Sequence, residues 1–340
     1  MNAQAARGRA ALTACLLLLI LSIILALRLG TEPVSLLRAL ADEGSLDRAI
    51  IVEARMPRVL LGAVAGGGLA IVGAAFQSVL RNPLAEPFVL GVSGGAALAA
   101  TIAIVGGLTG VTLLGASLLP LVALAGGLSA TLIVYGLARS GGSMTGTSML
   151  LAGVVVNAIA AAAITFLKTL VEASKAQELL FWLMGFLDVP SRASLGFVSF
   201  YVAIGAAVLI RDAGRLNLLA LGDESASHLG IDVPALERRT FLACSFVVGA
   251  IVSVTGLIAF VGLVVPHALR RILGPDTRVL LPASLFAGGA TLVLCDLVSR
   301  VVFRWLHREP PVGAVTALLG GPLFLFLLFR RGSPAGRLAF

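Results

Sequence analysis

Residues 58–80 read RVLLGAVAGGGLAIVGAAFQSVL, and after Arg58 no charge recurs until Arg81. A run of this length matches the roughly 20 apolar residues that one helix needs to cross the hydrocarbon core of a bilayer. The run is also rich in small side chains: Gly62 and Gly66, then Ala70 and Ala74, stand one helical turn apart. In lipid that spacing lets helix backbones approach closely. The stretch therefore reads as a transmembrane helix packed among others, and Gly91 with Gly95 repeats the pattern further on.

Similar runs fill the chain. Spans are expected over about 11–29, 58–80, 88–107, 112–138, 148–170, 195–211, 239–256, 257–271, 280–303 and 312–329. Hydrophobic residues make up 59% of the 340 and charged residues 12%, with a mean hydropathy of +1.04. Soluble chains are roughly 45–50% apolar and about 25% charged. Lipid is the solvent that this composition implies. The expected architecture is one all-α, polytopic membrane domain over residues 1–340, a bundle of ten transmembrane helices. Arg7 and Arg9 before Ala11–Leu27 resemble a signal peptide. The apolar run is too long for one and no A-x-A-like site follows, so it reads as the first span.

The basic residues sit singly or in pairs at the ends of apolar runs, where they mark orientation. Threaded from an inside N-terminus, the pairs Arg238–Arg239, Arg270–Arg271 and Arg330–Arg331 fall on the inside. Both termini are thus expected in the cytoplasm, with the protein in an inner (cytoplasmic) membrane of bacterial type. No Lys/Arg-rich tract or basic patch interleaved with aromatic residues is present, which argues against nucleic acid. Cys15, Cys244 and Cys295 lie in apolar runs without CxxC spacing, so neither a disulfide framework nor a zinc site is indicated. His228, His267 and His307 are too scattered to suggest a metal site.

Two polar segments interrupt the apolar pattern. Glu32–Arg48, on the predicted outer side, suggests a short interfacial helix. Asp212–Arg239, on the predicted inner side, is the longest polar stretch and reads as two short helices broken at Gly230 and Pro234. Charges near the membrane point to function by default. Arg55 and Arg58 flank Met56-Pro57 at the predicted outer edge, where a guanidinium suits an acidic partner surface. Asp296 and Arg300, spaced i,i+4, can instead pair with each other.

ATP hydrolysis within this chain is excluded. A P-loop requires G-x-x-x-x-G-K-[ST]; the only lysines are Lys168, preceded by Leu167, and Lys175, preceded by Ser174. Any ATP-driven work must come from a partner.

Arg55-Met-Pro-Arg-Val-Leu-Leu-Gly62, Arg81-Asn-Pro-Leu-Ala-Glu-Pro87 and Leu90-Gly-Val-Ser-Gly94 resemble FecCD/BtuC-type ABC importer permeases, the family that carries vitamin B12, ferric siderophores and haem. Leu221–Gly230, Phe260–His267, Asp276–Pro282 and Val312–Pro322 extend the likeness, which runs from about residue 50 to 330. The resemblance implies a type II importer fold that works as a dimer, with two cytoplasmic ATP-binding subunits and an extracytoplasmic substrate-binding protein. No cofactor is then expected on this chain, ATP and Mg being held by the ATPase subunits. By resemblance, Arg55, Arg58 and Arg300 meet acidic residues of the binding protein. Thr147 and Ser148 match a cytoplasmic gate, and Gly222, Asp223, Glu224, Ala226, Leu229 and Gly230, within the segment 212–239, match the helix that docks on the ATPase.

Two other readings compete. An ion-coupled secondary carrier usually keeps buried acids for its ion, and the sequence offers almost none mid-span. Gly91-Val92-Ser93-Gly94 also resembles the G-x-S-G motif of rhomboid intramembrane proteases, with His267 as its base. The cargo is a metal chelate by resemblance. Glu172–Glu178 and Trp182–Gly185, near the predicted outer mouth, do not separate cobalamin from a ferric siderophore or haem.

Overall fold

The computed structural model describes residues 2–108, 111–113, 116–140 and 146–329. Fourteen helices in chain order carry the fold: α1 (Asn2–Arg28), α2 (Leu36–Ala41), α3 (Leu46–Ala49), α4 (Met56–Val79), α5 (Val92–Val105), α6 (Leu119–Ser140), α7 (Gly146–Thr169), α8 (Ala173–Met184), α9 (Arg192–Leu219), α10 (Asp223–His228), α11 (Val233–Thr255), α12 (Val261–Leu273), α13 (Thr277–Leu306) and α14 (Val312–Phe329). The ten expected spans correspond to α1, α4, α5, α6, α7, α9, α11, α12, α13 and α14. The Arg330–Arg331 pair lies outside the described residues.

Helix α4 is the axis of the bundle and packs against α13, α9, α12 and α11. Its small residues make this possible. The backbone of Gly66 lies against that of Gly288 in α13, just as Gly95 of α5 meets Gly126 of α6. Where neighbouring backbones come this close, a side chain has no room. By contrast, only 11% of the apolar window is buried in α1 and in α7.

Two spans are too short to cross a bilayer as helices. At about 1.5 Å per residue, α5 with 14 residues and α12 with 13 reach roughly 20 Å, against a hydrocarbon core of about 30 Å. The expected span over 88–107 is thus helical only from Val92: Pro87–Leu90 forms a 3₁₀ turn, and Gly91 is left-handed at φ 86°. The expected break at Gly256 is present, with φ 66°, and residues 257–260 continue non-helically to Phe260, itself left-handed at φ 70°. Irregular backbone at this depth is tolerated only where its polar groups are satisfied inside protein. The Phe260 amide donates to Glu86 Oε1 (2.8 Å), and Asn157 Nδ2 donates to the Phe88 carbonyl (2.7 Å).

Three further expectations are corrected. The span expected from 112 starts as a helix only at Leu119, because Thr112–Leu113 and Ala116–Ser117 pair as a two-residue antiparallel ladder. The single helix expected in Glu32–Arg48 is two, α2 and α3, started by Ser35 and Ser45, whose hydroxyls accept from Arg38 N and Arg48 N. A six-residue π-helical turn, Ile50–Arg55, then leads into α4. Finally, α9 runs on through Asp212 to Leu219, so the segment 212–239 holds one short helix of its own, α10, rather than two. Asp212 is buried yet pairs with Arg215 and Arg239, which neutralises it and lets the helix continue.

Candidate functional site

Candidate residues gather at the two ends of the bundle, with a buried loop between them. At one end, the first turn of α4 and the last turns of α13 bring arginines together. Arg55 is 5% exposed, and its guanidinium donates to the carbonyls of Leu27 (2.9 Å), Arg28 (3.1 Å) and Glu32. Arg58 donates through Nε (2.9 Å) and Nη2 (2.7 Å) to Asp296 Oδ1, and its Nη2 also pairs with Glu309. Arg300, 4% exposed, pairs with Asp296 Oδ2 at 2.9 Å and donates to the Ala26 carbonyl (3.0 Å).

The resemblance assigns these three arginines to a binding protein; within this chain their guanidinium groups already hold the contacts just described. Arg55 and Arg300 face inward and tie α1 to α4 and α13, because the terminal carbonyls of α1 and the buried Asp296 carboxylate need donors where water is scarce. Arg304, Trp305 and Arg308 form the exposed side of this end, with Arg304 Nε also donating to the Gly30 carbonyl. The i,i+4 pair Asp296–Arg300 is present as one edge of the network.

At the opposite end, Gly222 (φ 110°) turns the chain out of α9 and Gly230 (φ 81°) ends α10. The Ile231 amide returns to the Ala226 carbonyl and that of Gly230 to Ser227, closing the helix end in the manner that a left-handed glycine allows. Asp232 accepts from Ala235 N and starts α11, with Pro234 in its first turn. Within this turn Ala226 is fully buried and anchors α10, whereas Glu224 is exposed and Leu221 and Leu229 are 64% and 57% exposed. Two bare leucines flanking an acidic helix start form a surface suited to another protein. Asp223 pairs with Arg81, whose Nε donates to the Leu219 carbonyl (3.0 Å).

Between the ends, residues 81–91 dip into the bundle. A cavity of about 410 Å³ opens beside them between α5 and α7, bordered by Ser93, Ala97, Asn157, Thr165 and Leu257. Its wall is apolar apart from a few hydroxyl and amide groups. Thr147 and Ser148 lie in the first turn of α7, and residues 141–145 just before them fall outside the described residues. The Ser93 hydroxyl donates to the Phe88 carbonyl (3.0 Å), a structural bond that commits its proton. His267 is buried on α12 with its ring centroid 6.1 Å from that of Phe324.

Four residues of these constellations carry no role in the sequence reading, although Arg81 and Glu86 stand in the motif Arg81–Pro87. Glu86 carried the clearest signal, being the only acid between Glu53 and Glu172. Glu309 and Arg81 look like ordinary loop charges, and Asn157 is one amide in an apolar helix. Their partners lie up to 251 residues away along the chain.

A sequence profile described as the FecCD transport family matches residues 16–330. The cobalamin import system permease protein BtuC of Halobacterium salinarum is 42% identical over 281 residues, 83% of this chain and 73% of that protein. The hemin transport system permease protein HmuU of Yersinia pestis is 37% identical over 328 residues, covering 92% of this chain and 94% of that one. Among solved structures, an inward-facing protein described as a metal-chelate type ABC transporter superposes with a TM-score of 0.82 at 27% identity, covering 95% of this chain and 99% of that one.

Proposed function

The chain belongs to the FecCD transport family, a multi-pass inner-membrane permease subunit without an ATPase site of its own, and from that premise we propose that it conducts a metal chelate through a passage between two copies of itself. Two ATP-binding subunits, which hold ATP and Mg, dock on α10 from the cytoplasm. A substrate-binding protein delivers the cargo at the arginine end. With this orientation both termini are cytoplasmic. The cargo is of the class that the relatives' names give, a cobalamin, haem or iron chelate. The apolar wall beside α7 suits a large chelate that must pass without sticking, and no group there need react with it.

The observation that carries this reading is the exposed turn around α10: a chain without a P-loop, presenting bare Leu221 and Leu229 beside Glu224, needs a protein partner at that place. Glu224→Arg, or deletion of residues 222–230, is expected to abolish co-purification with the ATPase subunits. Undiminished co-purification would refute the assignment of α10.

Docking of the binding protein rests on positive charge at the other end. Arg58 is 14% exposed at its side chain and shares the rim with the exposed Arg304 and Arg308, above the inward-facing Arg55 and Arg300. Arg304→Glu with Arg308→Glu is expected to slow association on the order of tenfold at low salt. The effect should fade as salt screens the rim charges. Equal association rates at low ionic strength would move the docking surface elsewhere.

A further inference from the structure

The loop 81–91 touches three elements whose movements the proposed function must link. Its first residue, Arg81, is left-handed at φ 48°, a conformation that costs a non-glycine residue and persists only when its surroundings hold it. Its guanidinium grips both sides of the turn at Gly222: Nε donates to the Leu219 carbonyl at the end of α9, and Nη2 pairs with Asp223 at the start of α10. Further along, Glu86 accepts the Phe260 amide where α12 begins, and the Phe88 carbonyl accepts from Asn157 in the middle of α7.

The loop between these anchors is stiff. Pro83 and Pro87 fix two of its φ angles. The Asn82 side chain accepts from Leu84 N (2.9 Å) and its carbonyl from Ala85 N (3.0 Å), which folds the loop on itself. Pro87 also packs against Gly262 of α12. A stiff segment fastened at both ends transmits a displacement, whereas a slack one absorbs it.

We propose that Arg81 is a positioning residue that carries the displacement of α10 into the loop 81–91, and through Glu86 and Asn157 to α12 and α7. The inference rests on the docking of an ATPase at α10. Given that contact, a push on α10 pulls Asp223, Arg81 follows, and α7, the least buried helix beside the passage, shifts with it. The route needs no contact between the ATPase and α7 itself.

The test uses the assembled complex with spin labels at Ile159 on the exposed face of α7, one in each copy. Vanadate trapping of nucleotide is expected to change the distance between labels in the wild type. With Arg81→Ala the complex should still assemble, hydrolyse ATP at the basal rate and trap nucleotide, but the distance change should be lost. Arg81→Asp combined with Asp223→Arg should restore part of the change, since the swap remakes the ion pair but not the bond from Arg81 Nε to the Leu219 carbonyl. An undiminished change in Arg81→Ala, no change in the wild type, or a combined variant no better than its parents would each overturn the proposal. Loss of assembly with Arg81→Ala would also overturn it, by making Arg81 part of the docking surface. Failure of the wild-type chain to bind an ATPase at all would instead refute the underlying function.

Discussion

Asp296→Ala is expected to destabilise the protein by about 3–5 kcal/mol, the loss that follows when one member of a buried ion pair is removed. Asp296 is 1% exposed and is the shared acceptor of Arg58 and Arg300. Without it, two guanidinium groups remain in a place that water barely reaches. Arg300 keeps one carbonyl, that of Ala26, and Arg58 keeps the partly exposed Glu309. Neither replaces the lost charge. Asp296→Asn should be nearly as damaging, because it preserves shape and removes only the charge. Glu309→Gln, at the edge of the network, should cost about 1 kcal/mol or less, as for other partly exposed pairs. Thermal unfolding of the purified protein in detergent separates the three. If Asp296→Asn melts with the wild type, the Ala26 carbonyl and Glu309 suffice to hold Arg300 and Arg58.

Gly73→Ala should be at least as severe. A Cβ at Gly73 would overlap the carbonyl of Gly262 in α12 and lie 2.8 Å from its Cα. The obstacle is backbone, so no rotamer change relieves it. Helix α12 is also fastened at this level by Gln77 Nε2 to the Leu263 carbonyl (3.2 Å) and by Glu86 to Phe260. Separation of α4 from α12 would break these bonds. The cost should exceed the roughly 1–3 kcal/mol usual for an overpacked core, read as loss of monodisperse protein on size-exclusion chromatography. Gly136→Ala is the control: a Cβ there meets nothing within 4 Å. That variant should be neutral, or gain up to about 1 kcal/mol from helix propensity. Wild-type yield and melting of Gly73→Ala would show that α12 can give way.

How far the sequence could be read differed from element to element. Residues 58–80 announced their helix and their packing together, because uncharged length and small-residue spacing are both local properties. The spans at 88–107 and 257–271 were legible as apolar but not as half-helices. Apolar content reports the surroundings of a segment and says little about whether its backbone is helical throughout. The polar segment 212–239 was found, yet its first limit was misjudged, since the apolar run stops at Arg211 while the helix continues through Asp212, which Arg215 and Arg239 neutralise.

By itself, then, the sequence determined that this chain lives in a membrane, crosses it about ten times, cannot hydrolyse ATP and carries family motifs in order. Each of these follows from composition or from residues close together in the chain. Only the tertiary structure decided where the charges point. Arg58 and Asp296 meet across 238 positions, and Glu86 reaches Phe260 across 174. Whether an arginine faces a partner or a buried carboxylate depends on which helices pack against it, and that packing is a property of the whole bundle.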